Sequence, residues 1–204
     1  MPIRTTVNRV NNEMRTRPAQ ELGIDTFYYS IKAAARKNCA PIQNKVVTTG
    51  SARTEHGIEI HALSDYDYGK PGGCLGINCG HNMTPFIPGV NYLPDIDDDL
   101  KGLTPEQAME NANIQAKQRA LERSIRFTKE QIHIAEKLAN EKFHSRFVNK
   151  LRRQVTALDD LVDQHDFLYR DRKREEYYND PLSAAKEEIR QRRKMAKMAK
   201  RETN

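Results

Sequence analysis

The chain has 204 residues, with 37% hydrophobic and 30% charged residues, a net charge of +6 and no tryptophan. So polar a composition argues against one large core and predicts a modest globule with long, exposed helices. No apolar run approaches the roughly 20 residues needed to cross a bilayer, so no membrane partner is expected. The positive charge permits contact with nucleic acid or an acidic protein surface and requires neither. The three cysteines are an odd count with no hydrophobic signal segment ahead of them. A reducing, cytosolic setting is therefore expected, and a disulfide framework is not.

Ile3–Leu22 reads as a helix, with Val7, Val10, Met14 and Leu22 at roughly helical spacing, Pro18 as an interruption and Gly23 as its C-terminal stop. Thr26–Ile31 is aromatic and β-branched, Asn44–Thr49 contains Val46 and Val47, and Ile58–Leu63 alternates, so all three are predicted strands. Asp95–Asp99 is an acidic run without the spaced oxygens and distal glutamate of a calcium loop, and reads as a solvated linker. Thr104, Pro105 and Gln107 make a capping box for a helix running to about Leu138, with Ile114, Leu121, Ile125, Ile132 and Leu138 as its stripe. A second helix is predicted over Phe143–Leu168. Leu151, Val155 and Leu158 lie on its apolar face, and its charge order, basic first and acidic last, opposes the helix dipole. The segments are thus 1–23, an N-terminal helix; 24–102, a small β-rich globule; 103–180, a helical region; and 181–204, a basic tail. The fold class is α+β.

Tyr66–Pro88 is the chemically dense stretch. Six glycines fall between Gly69 and Gly89, and the loop carries Cys74, Cys79 and His81. With Cys39 these form the one group of zinc-ligand character, since zinc takes thiolate and imidazole in a tetrahedron. Two readings stand: a structural zinc held by Cys39, Cys74, Cys79 and His81, and buried thiols beside a structural histidine. A cysteine hydrolase built from Cys79, His81 and Asn78 has the right residue types, packed close in sequence. In the tail, Arg190, Arg192, Arg193, Lys194, Lys197, Lys200 and Arg201 form a basic run with no aromatic among them. That pattern suits phosphate contact and not base stacking.

Gly73–His81, followed by Pro85–Gly89, resembles the signature of the tailed-phage minor capsid proteins of type 2, relatives of the Mu F-like head proteins. Ala35–Lys45 and Gln118–Arg126 are similar to two further family segments, in family order. The sequence departs from the family pattern where Cys39 stands for His, Gly80 for Arg and Ile42 for Trp. The resemblance covers the C-terminal half of a typical member. It implies a structural minor protein of a phage head, inside the capsid or near the portal vertex. Its implied partners are portal or major capsid protein, double-stranded DNA, and a separate polypeptide for the N-terminal half. It also carries an alternative, an ADP-ribosyltransferase-like effector delivered with the genome. Glu55 and Glu59, near Thr48, Thr49 and Ser51, would be the candidate catalytic glutamates.

Overall fold

The computed structural model describes residues 2–177, in two compact units, Met1–Ile114 and Gln115–Asn204, whose boundary falls within one long helix. The first unit begins with α1 (Pro2–Glu21), and Pro18 lies inside it without ending it. The stop is Gly23, as expected: at φ +81° its N–H reaches Gln20 O (2.9 Å) while Ile24 N–H reaches Ala19 O (2.9 Å). This paired closure of orphan carbonyls needs a left-handed residue that glycine supplies without strain.

Five strands follow: β1 (Thr26–Tyr29), β2 (Lys45–Thr48), β3 (Arg53–Glu55), β4 (Ile58–Ala62) and β5 (Met83–Pro85). Their order in the sheet is β3-β4-β2-β1-β5, antiparallel except for the β2–β4 pair. β1 is central to the chemistry because it is paired on both sides, with Tyr29 opposite Lys45 of β2 and Met83 of β5. The alternation of strand side chains divides the apolar residues between two faces. Phe27, Tyr29, Val47, Leu63 and Met83 join Ala19 of α1 and all three cysteines in the main core. Val46, Ile60 and Phe86 form a smaller cluster with Tyr28 and Ile58.

The α+β class and the three predicted strands appear in the structure. Two short strands, β3 and β5, were not foreseen. The face of α1 is a correction. Val7, Val10, Met14 and Leu22 are exposed (Met14 by 72%), whereas Ala19, Asn12 and Thr16 are buried. Asn12 turns inward because backbone groups, His81 O and Met83 N–H, lie beneath it, while the Thr16 hydroxyl donates back to Asn12 O of its own helix.

The glycine-rich loop is folded on itself. Cys74 N–H bonds Tyr66 O (3.0 Å), and a Cβ on Gly73 would sit 1.8 Å from Asp67 O. Only glycine permits so close a backbone approach. Gly73→Ala is expected to force the loop apart, lowering stability by roughly 1–3 kcal/mol and making Cys74 react with a thiol reagent in the native state. A native-state thiol titration checks this; unchanged protection of Cys74 would contradict it.

α2 (Pro105–Lys137) crosses the unit boundary, and its part within the second unit runs antiparallel to α3 (Glu141–Asp163), with Gln154 Nε2 donating to Ser124 Oγ at 2.6 Å. The capping box is present: Gln107 N–H reaches Thr104 Oγ1 (3.2 Å) and Thr104 N–H reaches Gln107 Oε1 (2.9 Å). Of the predicted stripe, Ile125 and Leu158 are fully buried, Leu121, Ile132, Leu151 and Val155 are half-buried, and Leu138 is exposed. α3 ends five residues before the expected Leu168. Its acidic last turns are offset from outside the helix: Arg170 pairs with Asp159 and, at 2.7 Å, with buried Glu175. Among the described residues, no helix is long and apolar enough to cross a membrane.

Candidate metal centre

The register of β1 builds the site. Tyr29 is flanked by Lys45 and Met83, and two residues outside the ladder on either side stand Gln43 and His81. The β1–β2 connection carries Cys39 at the start of a 3-10 turn, Ala40–Ile42, which delivers Gln43 next. The glycine-rich loop delivers Cys79 through a turn in which its N–H bonds Gly76 O (3.0 Å). α1 closes the arrangement from the other side. Asn8 Nδ2 donates to Cys79 O (2.9 Å) and to His81 O (3.2 Å), Asn12 Nδ2 donates to His81 O (3.1 Å), and Asn12 Oδ1 accepts from Met83 N–H (2.8 Å).

Cys39 Sγ lies 3.8 Å from Cys79 Sγ, and Cys79 Sγ lies 3.3 Å from His81 Nδ1. The ligand atoms of the three residues all fall within 4.8 Å of one another, and all three side chains are buried. Tyr29 stacks on the His81 ring (centroids 4.9 Å apart), and its hydroxyl is 3.8 Å from Cys79 Sγ. His81 Nε2 is 2.7 Å from Gln43 Oε1. That oxygen also accepts Lys32 N–H at 2.8 Å, which fixes which end of the amide faces the ring. Nε2 therefore carries the proton, and Nδ1 turns toward the sulfur.

Hydrogen bonding sets the protonation of the sulfurs. Cys79 is held well below the usual thiol range by the Cys39 thiol directed at it, against the cost of burial. Cys39 is pushed up by that same bond and by burial. Cys74 is pushed up to about 12, chiefly by burial.

The structure thus brings Cys39, Cys79 and His81 together and leaves Cys74 outside that group. Cys74 is buried, but the fold at Gly73 turns its Sγ toward Leu63 O, at 3.8 Å. Asn78, the carboxamide of the hydrolase reading, presents its N–H to Thr5 Oγ1 (3.1 Å). The carboxamide on the histidine is Gln43, which the sequence reading missed. Its one signal was its place in the Ala35–Lys45 segment. Cys79 is buried, 6% exposed, whereas a nucleophile needs a path to substrate. Glu55 pairs with Arg53 (3.2 Å), and Glu59 is largely exposed beside His61. The basic residues Arg190, Arg192, Arg193, Lys194, Lys197, Lys200 and Arg201 lie outside the described residues.

Fold and site together define a small α+β globule with a buried thiol–imidazole cluster, followed by a helical hairpin. The chain belongs to the family described as phage minor capsid protein 2, whose model matches residues 1–163. A structural protein of Lactococcus phage LL-H is 33% identical over 178 residues, covering 85% of this chain and 46% of that protein. A structural protein of Lactococcus phage mv4 is 34% identical over 117 residues, covering 57% of this chain and 91% of that one. The chain therefore spans about half the length of the first relative and nearly all of the second. No solved structure matches it.

Proposed function

We propose that the protein is a minor structural component of a tailed-phage head, seated inside the capsid or near the portal vertex. The observation that carries this reading is the extent of the family match, which runs from α1 through the sheet and both helices to Asp163. Its partners are then portal or major capsid protein. On this reading the chain corresponds to the C-terminal half of a longer, Mu F-like member, and a separate polypeptide supplies the rest. Within this role the cluster of Cys39, Cys79 and His81 is a staple for zinc and not a reactive centre. A small core that mixes backbone groups with apolar side chains gains much from one strong cross-link.

The basic tail faces the packaged DNA. Phosphate neutralisation releases counterions, so affinity falls steeply as salt rises. Mass spectrometry of purified particles should find the chain at low copy number, and labelling of intact heads should place it inside. Deleting residues 182–204 should leave the melting temperature of the globule nearly unchanged and reduce DNA affinity at low salt. A chain absent from particles would overturn the structural role. Unaltered low-salt binding after the deletion would overturn the DNA contact alone.

A further inference from the structure

The geometry points to a three-ligand zinc site in which Cys39 Sγ, Cys79 Sγ and His81 Nδ1 occupy three corners of a tetrahedron. A water holds the fourth corner, and Gln43 is the positioning residue. The inference rests on the staple reading and specifies its ligands. Zn–S bonds of about 2.3 Å at the tetrahedral angle separate two sulfurs by about 3.8 Å, and a Zn–N bond of about 2.0–2.1 Å places nitrogen about 3.5 Å from sulfur. Two of the three edges, 3.8 Å between the sulfurs and 3.3 Å from Cys79 Sγ to His81 Nδ1, come close to these values before any metal is considered, and the third, from Cys39 Sγ to the imidazole nitrogen, lies within 4.8 Å.

The histidine is already in the form a metal needs. Gln43 Oε1 accepts the Nε2 proton at 2.7 Å and is itself fixed by the Lys32 N–H. Nδ1 is left free to bind, as the outer partners of metal-bound histidines typically arrange. Two soft sulfurs and an imidazole select zinc over magnesium or calcium.

Geometry decides the fourth corner. The Cys74 thiol donates to Leu63 O at 3.8 Å rather than facing the cluster, so the fold presents no third sulfur. With two thiolates, a neutral imidazole and a water, the charge of the divalent ion is balanced. The Tyr29 hydroxyl, 3.8 Å from Cys79 Sγ and buried, supplies a hydrogen-bonding partner for the water.

The 204-residue chain, untagged and purified without chelator, is assayed for zinc by elemental analysis, and its cobalt(II) form for thiolate-to-metal absorption. The expected result is about one zinc per chain, a charge-transfer intensity for two thiolates, loss of metal in Cys39→Ser and Cys79→Ser, and retention in Cys74→Ser. Gln43→Leu should weaken zinc affinity roughly 10–100-fold in a chelator competition, and Gln43→Glu, which keeps an acceptor, should restore it. If the cysteine variants fail to fold, the wild-type cobalt spectrum and the two Gln43 variants decide the matter. A three-thiolate spectrum, or loss of zinc in Cys74→Ser, overturns this ligand set and leaves the staple standing. Protein free of metal after growth in zinc, or metal indifferent to Cys39 and Cys79, overturns both.

Discussion

Leu158→Ala should destabilise the helical hairpin by about 2–5 kcal/mol, the range for truncating a leucine in a site that cannot collapse. Leu158 and Ile125 are fully buried, while Leu121, Ile132, Leu151 and Val155 are only half covered and Leu138 is exposed. The interior is thin, and the methyl groups of Leu158 are a large part of it. The surrounding polar contacts hold the helices at a fixed spacing. Gln154 Nε2 donates to Ser124 Oγ at 2.6 Å, and Gln118 Nε2 donates to Tyr169 O at 2.8 Å. A helix pinned in this way relaxes little into a cavity. Val155→Ala, at a half-buried position, should cost about 1 kcal/mol, and Leu138→Ala, 72% exposed, close to nothing. Urea unfolding of the three variants gives the ranking directly. Leu158→Ala with a midpoint equal to that of Leu138→Ala would show that the interior is not where the buried side chains place it. In assembled particles the order shifts if the hairpin docks on a neighbour: Leu138 and Phe143, both exposed in the isolated chain, would then gain weight.

What the sequence disclosed follows the range of the interactions concerned. The capping box at Thr104 and the stop at Gly23 depend on residues three or four apart, and both were read from the chain. β1, β2 and β4 carry the aromatic and β-branched residues of covered strands. β3 and β5 do not: Arg53-Thr54-Glu55 and Met83-Thr84-Pro85 are three-residue edges whose strand state comes from their partners. The C-terminus of α3 was misplaced for a similar reason. Val162 and Leu168 continue an apolar spacing, but the chain turns back after Asp163 so that Arg170 can meet Asp159 and Glu175. Zinc-type residues were visible as a set, whereas their division into three together and one apart was not. That division depends on the approach of Gly73 to Asp67, which no spacing rule contains.

α1 was the largest departure, and its inward polar face leads to the last expected result. Asn12→Ala should cost roughly 2–3 kcal/mol, and the double variant Asn8→Ala with Asn12→Ala should cost more than the sum of its parts. Asn12 is 6% exposed and bonds in both directions, accepting from Met83 N–H and donating to His81 O. Its loss leaves the buried Met83 N–H without that acceptor, a penalty of about 1–3 kcal/mol for a group that water cannot reach. His81 O is different, because Asn8 Nδ2 also donates to it at 3.2 Å. Either asparagine alone still satisfies that carbonyl, so each single variant hides part of its cost. Removing both uncovers a buried carbonyl on the backbone of a cluster residue and frees Cys79 O as well, which Asn8 holds at 2.9 Å. Contacts that share one acceptor are where additivity fails. A double-mutant cycle by thermal or urea unfolding should therefore show a coupling energy of about 0.5–3 kcal/mol, with loosened protection of Cys79 toward thiol reagents in the double variant. Strict additivity, with Cys79 protected as in the wild type, would mean that α1 is not what holds the loop in place.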